Sequence, residues 1–303
     1  MFKSKLKDLL GNLPCESGFK KRMRLHQAWW RAFVLGEEPG FHPIRKKELL
    51  GSTIKNGESS GKNFLTENAW KAAQATIKER LEYGGGLMEE NRLFNNLLSS
   101  QPLCFNFFGE LKMDYELGLK ILQRFFPGIT GLQKVIFEFA PRENYLDDNS
   151  AFDIAFFVER GSEKGLIGLE CKYTDTFSKK EYDREEYREI FQRSHIFKHK
   201  YSRYKASRFN QLFRNQLLAE SMLQYQQIDF VYTGLFCHQD DHPALKTGEM
   251  FSQMLAESAV FQSITYQDFI EKIQILEPNW GQREWTMMLW ARYVSTRLNC
   301  LVD

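Results

Sequence analysis

Two carboxylates and an amine are spaced in this chain so that one short fold-back can bring them together. Asp153 lies before the turn-forming run Arg160-Gly161-Ser162-Glu163-Lys164, and Glu170-Cys171-Lys172 lies after it. Both flanks alternate as strands do. On the first, Phe152, Ile154, Phe156 and Val158 are expected on one face, with Asp153, Ala155 and Phe157 on the other. On the second, Ile167, Leu169 and Cys171 oppose Gly168, Glu170 and Lys172. A symmetric hairpin with Val158 opposite Gly165 puts Asp153 across from Glu170, and directly opposed side chains have Cβ atoms roughly 4.5–5.5 Å apart. Like charges at that separation repel unless a cation sits with them. Lys172 projects from the same face, and hard carboxylate oxygens suit Mg²⁺ or Mn²⁺. Such an ion polarises a phosphoryl oxygen and acidifies bound water, while the lysine takes a proton or stabilises charge. A surface hairpin carrying one Lys–Glu pair is the plain alternative.

The elements that must position this hairpin can be read around it. Residues 1–85 read as a mainly helical extension, with a Trp/Phe/Leu cluster between Gly18 and Gly36 and helical spacing from Asn63 to Tyr83. Gly51 to Gly61 reads as a loop between them, and Gly84-Gly85-Gly86 as a break before a helix from Met88 to Leu98. Residues 86–240 form the expected core: a helix from Met113 to Phe126, strands at Gln133–Ala140, Ala151–Glu159 and Gly165–Tyr173, a charged helical region from Lys179 to Tyr225, and a strand from Ile228 to Phe236. The order α-β-β-β-α-β implies a mixed sheet covered by helices. Residues 241–303 read as a helical extension packed on that core.

Asp153, sixteen intervening residues and then Glu170-Cys171-Lys172, set in that order of elements, resembles the PD-(D/E)XK nuclease superfamily, the restriction-endonuclease-like fold. The segments Ser99–Asn106, Phe137–Pro141 and Gln211–Asn215 resemble bacterial members of it, and the similarity runs from about Gly86 to Phe236. The resemblance implies an α/β fold and metal-dependent phosphodiester hydrolysis. It implies Asp153 and Glu170 as ligands of Mg²⁺ or Mn²⁺, the Cys171 carbonyl as a further ligand, and Lys172 as base or stabiliser. Phe152 stands where the superfamily has proline. The extra acid of the superfamily has four candidates here, Glu110, Asp114, Glu116 and Glu138.

Charge distribution points to the partner. Between Arg193 and Arg214 there are seven Lys and Arg and no Asp or Glu, and the stretch to Lys55 has twelve bases against five acids, although the whole chain carries only +2. Clustered bases suit a polyanion, and DNA is the expected partner. Lys205, Arg208, Gln211, Arg214 and Asn215 are the expected contacts, Gln211 sharing a helix face with Arg214 and Asn215. A solvated helix face would look the same. Phe197, Tyr201, Tyr204 and Phe209 interleave with the bases; such aromatics stack on bases in some proteins and pack in the core in more. A catalytically inactive nucleic-acid-binding protein on the same fold is the alternative function. Double-strand cleavage needs two sites and would call for a homodimer.

The remaining composition mostly excludes. Over 303 residues, 43% hydrophobic and 26% charged residues are ordinary globular values, so wholesale disorder is out. No run of eighteen apolar residues offers a membrane span, and the first residues have no apolar stretch of a secretory signal, so a cytoplasmic location is expected. Five scattered cysteines without a CxxC pair read as reduced and mostly buried. His238-Gln239-Asp240-Asp241-His242 reads as a turn, not as a second metal loop. Walker A and GxGxxG patterns are absent.

Overall fold

A computed structural model describes residues 9–296 except 17, 44, 46, 84, 85, 87 and 179. The expected features at Gly84, Gly85, Lys179 and Cys300 therefore lie outside the described residues. The centre is a five-stranded sheet of β3 (Gly131–Phe139), β4 (Phe152–Arg160), β5 (Glu163–Lys172), β6 (Phe230–Cys237) and β7 (Phe261–Thr265), in that spatial order. The first three are antiparallel neighbours, and β6 and β7 continue parallel to β5. The β4–β5 hairpin has the expected register, Val158 opposite Gly165 and Ile154 opposite Leu169, and one further step brings Asp153 to Glu170. Gly161 takes φ 63° in the two-residue turn, where a hairpin calls for positive φ and glycine carries no steric penalty.

Helices cover both faces. One face packs on α5 (Ser100–Met113), α6 (Tyr115–Leu122), α11 (Tyr266–Gln274) and α12 (Trp280–Leu289), through Phe105, Phe107, Phe108, Ile121, Phe269 and Trp285. The other packs on α7 (Glu185–Arg193), the short α8 (Tyr201–Tyr204), α9 (Asn210–Gln224) and α10 (His242–Met254), through Tyr187, Tyr204, Leu212, Phe213 and Phe251. Phe197 and Tyr201 pack against this second cluster and Tyr204 and Phe209 belong to it, so the interleaved aromatics are core.

Several elements differ from expectation. The basic stretch is not one helix: α7, α8 and α9 are separate, and residues 194–200 run between the first two. The first core helix is α5, followed by the shorter α6, in place of one helix from Met113 to Phe126. Buried on nearly every side, α5 has no polar face to give a period of 3.6. Its start is set by Ser99, whose hydroxyl accepts from the Gln101 N–H at 3.2 Å, with Pro102 tolerated in the first turn.

Gly51–Gly61 is not a loop throughout, since β2 (Leu49–Ile54) pairs with β1 (Pro39–Phe41) and a short helix, α2 (Gly57–Ser60), follows. The C-terminal segment contains β7, whose five residues are too few to show a pattern. Helices α1 (Gly18–Trp29), α3 (Glu67–Tyr83) and α4 (Glu90–Asn95) complete the N-terminal part.

Both extensions share the core of the sheet: Met23, Ala69, Trp285 and Tyr293 belong to one cluster with β3–β6 residues. They also grip the end of β5. Gln27 donates to the Tyr173 hydroxyl at 2.8 Å, and the Tyr266 hydroxyl donates to the Lys172 carbonyl. The buried Arg292 guanidinium joins the two extensions through Asn63 Oδ1 at 2.6 Å. No helix among the described residues is long and apolar enough to cross a membrane.

Candidate active site

The end of the hairpin nearest α9 gathers the expected polar residues. Glu170 and Lys172, only 4% and 6% exposed, point toward α9, as alternation along β5 requires. The Lys172 ammonium lies 3.0 Å from Glu170 Oε1 and donates to Gln211 Oε1 at 2.8 Å. Gln211 Nε2 donates to Glu170 Oε1 at 2.5 Å, and Asn215 Nδ2 to Glu170 Oε2 at 2.9 Å. One turn of α9 thus fixes the orientation of both strand residues. Asp153 Oδ2 accepts the Cys171 N–H at 2.6 Å, which ties the aspartate to the strand carrying the other two.

A third carboxylate joins them. Among the four candidate acids, Glu110 accepts from Asn68, Asp114 caps α6 and Glu116 pairs with Lys120 at the surface. Glu138 is buried near the end of β3, within hydrogen-bond reach of Gln101 Nε2 at 3.4 Å, and it repels Asp153 electrostatically. Its φ of 51° is a conformation that costs a non-glycine residue of order 1–3 kcal/mol. The twist has a visible result. Phe137 packs on the α5 side and Phe139 on the α9 side, although residues two apart share a face in a regular strand.

Phe139 pairs with Phe152, which also turns to the α9 side and so departs from the alternation expected for β4. Space is available there because Gly168 has no side chain; a Cβ on it would come within 2.4 Å of the Phe152 ring.

The electrostatics follow from burial. Burial first, then repulsion from Glu170 and Glu138, holds the Asp153 carboxyl well above its ordinary 3.8. Burial also raises Glu138 to about 7, against the pull of Gln101, Arg80 and Arg92. For Lys172 burial alone would lower the pKa, but the Glu170 and Asp153 carboxylates outweigh it and the net shift is upward. Ionised together, three carboxylates face one ammonium, leaving two negative charges in excess.

That excess and an all-oxygen donor set fit one divalent cation. Glu170 Oε1 already accepts two hydrogen bonds, so Oε2 has the spare lone pair. Lys172 forms its ion pair with Glu170 and none with Asp153. No group of three His, Cys, Asp or Glu side chains among the described residues is arranged as a ready metal site.

The other expected contacts are engaged within the fold. Arg214 Nε donates to Asp148 Oδ2 and Ser150 Oγ, both at 3.0 Å, with the Tyr182 ring 4.6 Å from its guanidinium. Lys205 pairs with Asp183 at 2.7 Å, and Arg208 Nε donates to Thr247 at 3.2 Å. The resemblance implies Gln211 in the active site or on DNA, and Asn215 is expected on nucleic acid; the structure places both on Glu170. Sequence reading missed Phe177, whose ring lies 5.2 Å from the Lys172 ammonium, and the role of Gln101. Cys104, Cys171 and Cys237 are buried and free, Cys15 is free and exposed, and His238 is buried in a turn before α10, which Asp241 caps.

The mixed sheet, its two helical layers and the hairpin acids define a restriction-endonuclease-like α/β fold. The family model of the PD-(D/E)XK nuclease superfamily matches residues 14–295, and the chain belongs to that superfamily. The match takes in both extensions, well beyond the segment that carries the motif. No curated protein and no solved structure matches the chain.

Proposed function

We propose that the protein is a Mg²⁺- or Mn²⁺-dependent nuclease that hydrolyses phosphodiester bonds in DNA. The observation that carries this reading is the gathering of three carboxyls, Asp153, Glu170 and Glu138, with one buried ammonium. A fold gains no stability from such a cluster, and carboxyls whose pKa burial raises, as it does for Asp153 and Glu138, concentrate at functional sites. Asp153 and Glu170 hold the cation, with the Cys171 carbonyl as a further ligand and Glu138 as the completing acid. When bound, the ion supplies polarisation of a phosphoryl oxygen and a lower pKa for its water.

The chain's own residues do the rest. Lys172, kept protonated by its two carboxylate neighbours, acts as an ammonium that stabilises charge on the phosphoryl oxygens. Gln211 presents its amide oxygen to Lys172 and its amide nitrogen to Glu170, so neither side chain can rotate independently of the other. Asn215 fixes the second oxygen of Glu170.

The test is cleavage of supercoiled, linear and single-stranded DNA with Mg²⁺ or Mn²⁺, beside Asp153→Ala and Lys172→Ala variants. Cleavage by the wild type that both substitutions abolish is expected. Cleavage that survives both would overturn the assignment. Salt-sensitive binding without cleavage would instead identify an inactive binding protein on this fold.

A further inference from the structure

The reacting groups are covered. Glu170 and Lys172 are buried on the α9 side, and the Phe177 ring sits over the Lys172 ammonium from the chain that leaves β5. Residues 174–178 carry that ring, which also packs against the α9-side cluster. Their attachment to the N-terminal part is slight. Thr174 Oγ1 donates to the Leu98 carbonyl at 3.4 Å, and Asp175 pairs with Arg92 of α4 at 3.0 Å. The side chains of Arg92 and Asp175 are 38% and 47% exposed, and an ion pair that open contributes only about 0–1 kcal/mol. A backbone phosphate can accept two parallel hydrogen bonds from a guanidinium, where Asp175 takes one from Arg92 at 3.0 Å.

Arg92 is also well placed electrically. Its charge, like that of Arg80 of α3, favours the ionised form of Glu138. Just beyond α3, the Gly86 N–H donates to the Glu138 carbonyl at 3.0 Å, so this part of the chain borders the acids directly. A polyanion approaching three carboxylates needs cations beside them, and Lys205, Arg208 and Arg214 are engaged elsewhere.

We propose that Arg92 is a subsite for a backbone phosphate of DNA, and that Asp175 occupies Arg92 in the resting protein as a stand-in for that phosphate. Exchange of Asp175 for phosphate removes the Asp175 tie on residues 174–178, the segment whose Phe177 lies beside Lys172. The inference rests on the nuclease reading and names the side of the site from which the strand enters.

The two members of the pair give the test. Binding of a fluorescein-labelled DNA duplex is followed by anisotropy in EDTA, across a salt series, for the wild type, Arg92→Ala and Asp175→Asn. Arg92→Ala is expected to weaken binding about tenfold and to lower the salt slope by about one. Asp175→Asn breaks the same ion pair and is expected to tighten binding several-fold. A mere clasp predicts that both variants shift in one direction, and that result overturns the proposal.

Arg160→Ala and Glu163→Gln, which break an exposed pair at the turn end of the hairpin, control for net charge and are expected to change binding less than twofold. Control variants that move as far as the test pair also overturn it. No binding by the wild type would count against the nuclease reading itself, a result distinct from a wild type that binds while Arg92→Ala binds equally well.

Discussion

Glu138→Gln changes one atom of a buried side chain and removes one ionisation, so its effect on stability has a calculable pH dependence. Burial raises the Glu138 pKa from the ordinary 4.5 to about 7. An acid whose folded pKa is raised binds its proton more tightly in the native state, so stability falls as pH rises from 4.5 and levels off above about 7. At 1.36 kcal/mol for each pH unit between those values, the ionised carboxylate costs about 3 kcal/mol at pH 8. At pH 5 the cost is under about 1 kcal/mol.

Glutamine has the same shape and does not titrate. Urea unfolding in EDTA should therefore show Glu138→Gln more stable than the wild type by up to about 3 kcal/mol at pH 8, the difference shrinking toward pH 5. Asp153 titrates in both proteins, so the comparison is between the two proteins at each pH. A difference that stays flat with pH, or a variant less stable than the wild type at pH 8, would refute the reasoning.

Three further outcomes follow from the same physics. Lys172→Ala should lower cleavage by about 10²–10⁴-fold and cost about 3–5 kcal/mol of stability, because it strands the Glu170 carboxylate in a buried place; kinetics and urea midpoints check the two parts. His238 is buried, and burial lowers its pKa from 6.5 to about 4, so the native state resists a proton that the unfolded chain accepts; stability is lost as pH falls from 6.5 to about 4. His238→Asn, which keeps an acceptor for the Asp240 N–H, should remove about 3 kcal/mol of that acid sensitivity in unfolding curves at pH 4 and 7. Tyr266→Phe leaves the Lys172 carbonyl without its hydroxyl donor and should cost about 1–3 kcal/mol, read from the urea midpoint.

The hairpin was legible because its information is local. Alternation fixed which residues share a face, and the glycine turn fixed the register, so Asp153, Glu170 and Lys172 could be placed from spacing alone. Phe152 escaped that logic because its direction depends on the twist at Glu138 one strand away and on the missing side chain of Gly168. No periodicity encodes either. The helix α5 was missed because burial on all sides erases amphipathic pattern, and β7 because a parallel edge strand of five residues is shorter than any reliable pattern.

The basic stretch shows the opposite limit. Its bases were visible, but Asp148 and Asp183, which occupy Arg214 and Lys205, lie outside the counted stretch. Glu138 was one of four acids in the sequence and is the buried one of the four in the structure. Gln211 and Asn215 were legible as a polar helix face. That the face turns inward to Glu170 and Lys172 depends on how α9 packs across the sheet.

The central claim is that the Asp153 and Glu170 carboxylates share a divalent cation. Anomalous diffraction at the manganese edge, from crystals grown with Mn²⁺, addresses it without relying on any substrate. The account predicts a single strong peak bounded by Asp153, Glu170 and the Cys171 carbonyl, lost in Asp153→Asn. A peak elsewhere, or no peak with Lys172 still paired to Glu170 at saturating Mn²⁺, would contradict it.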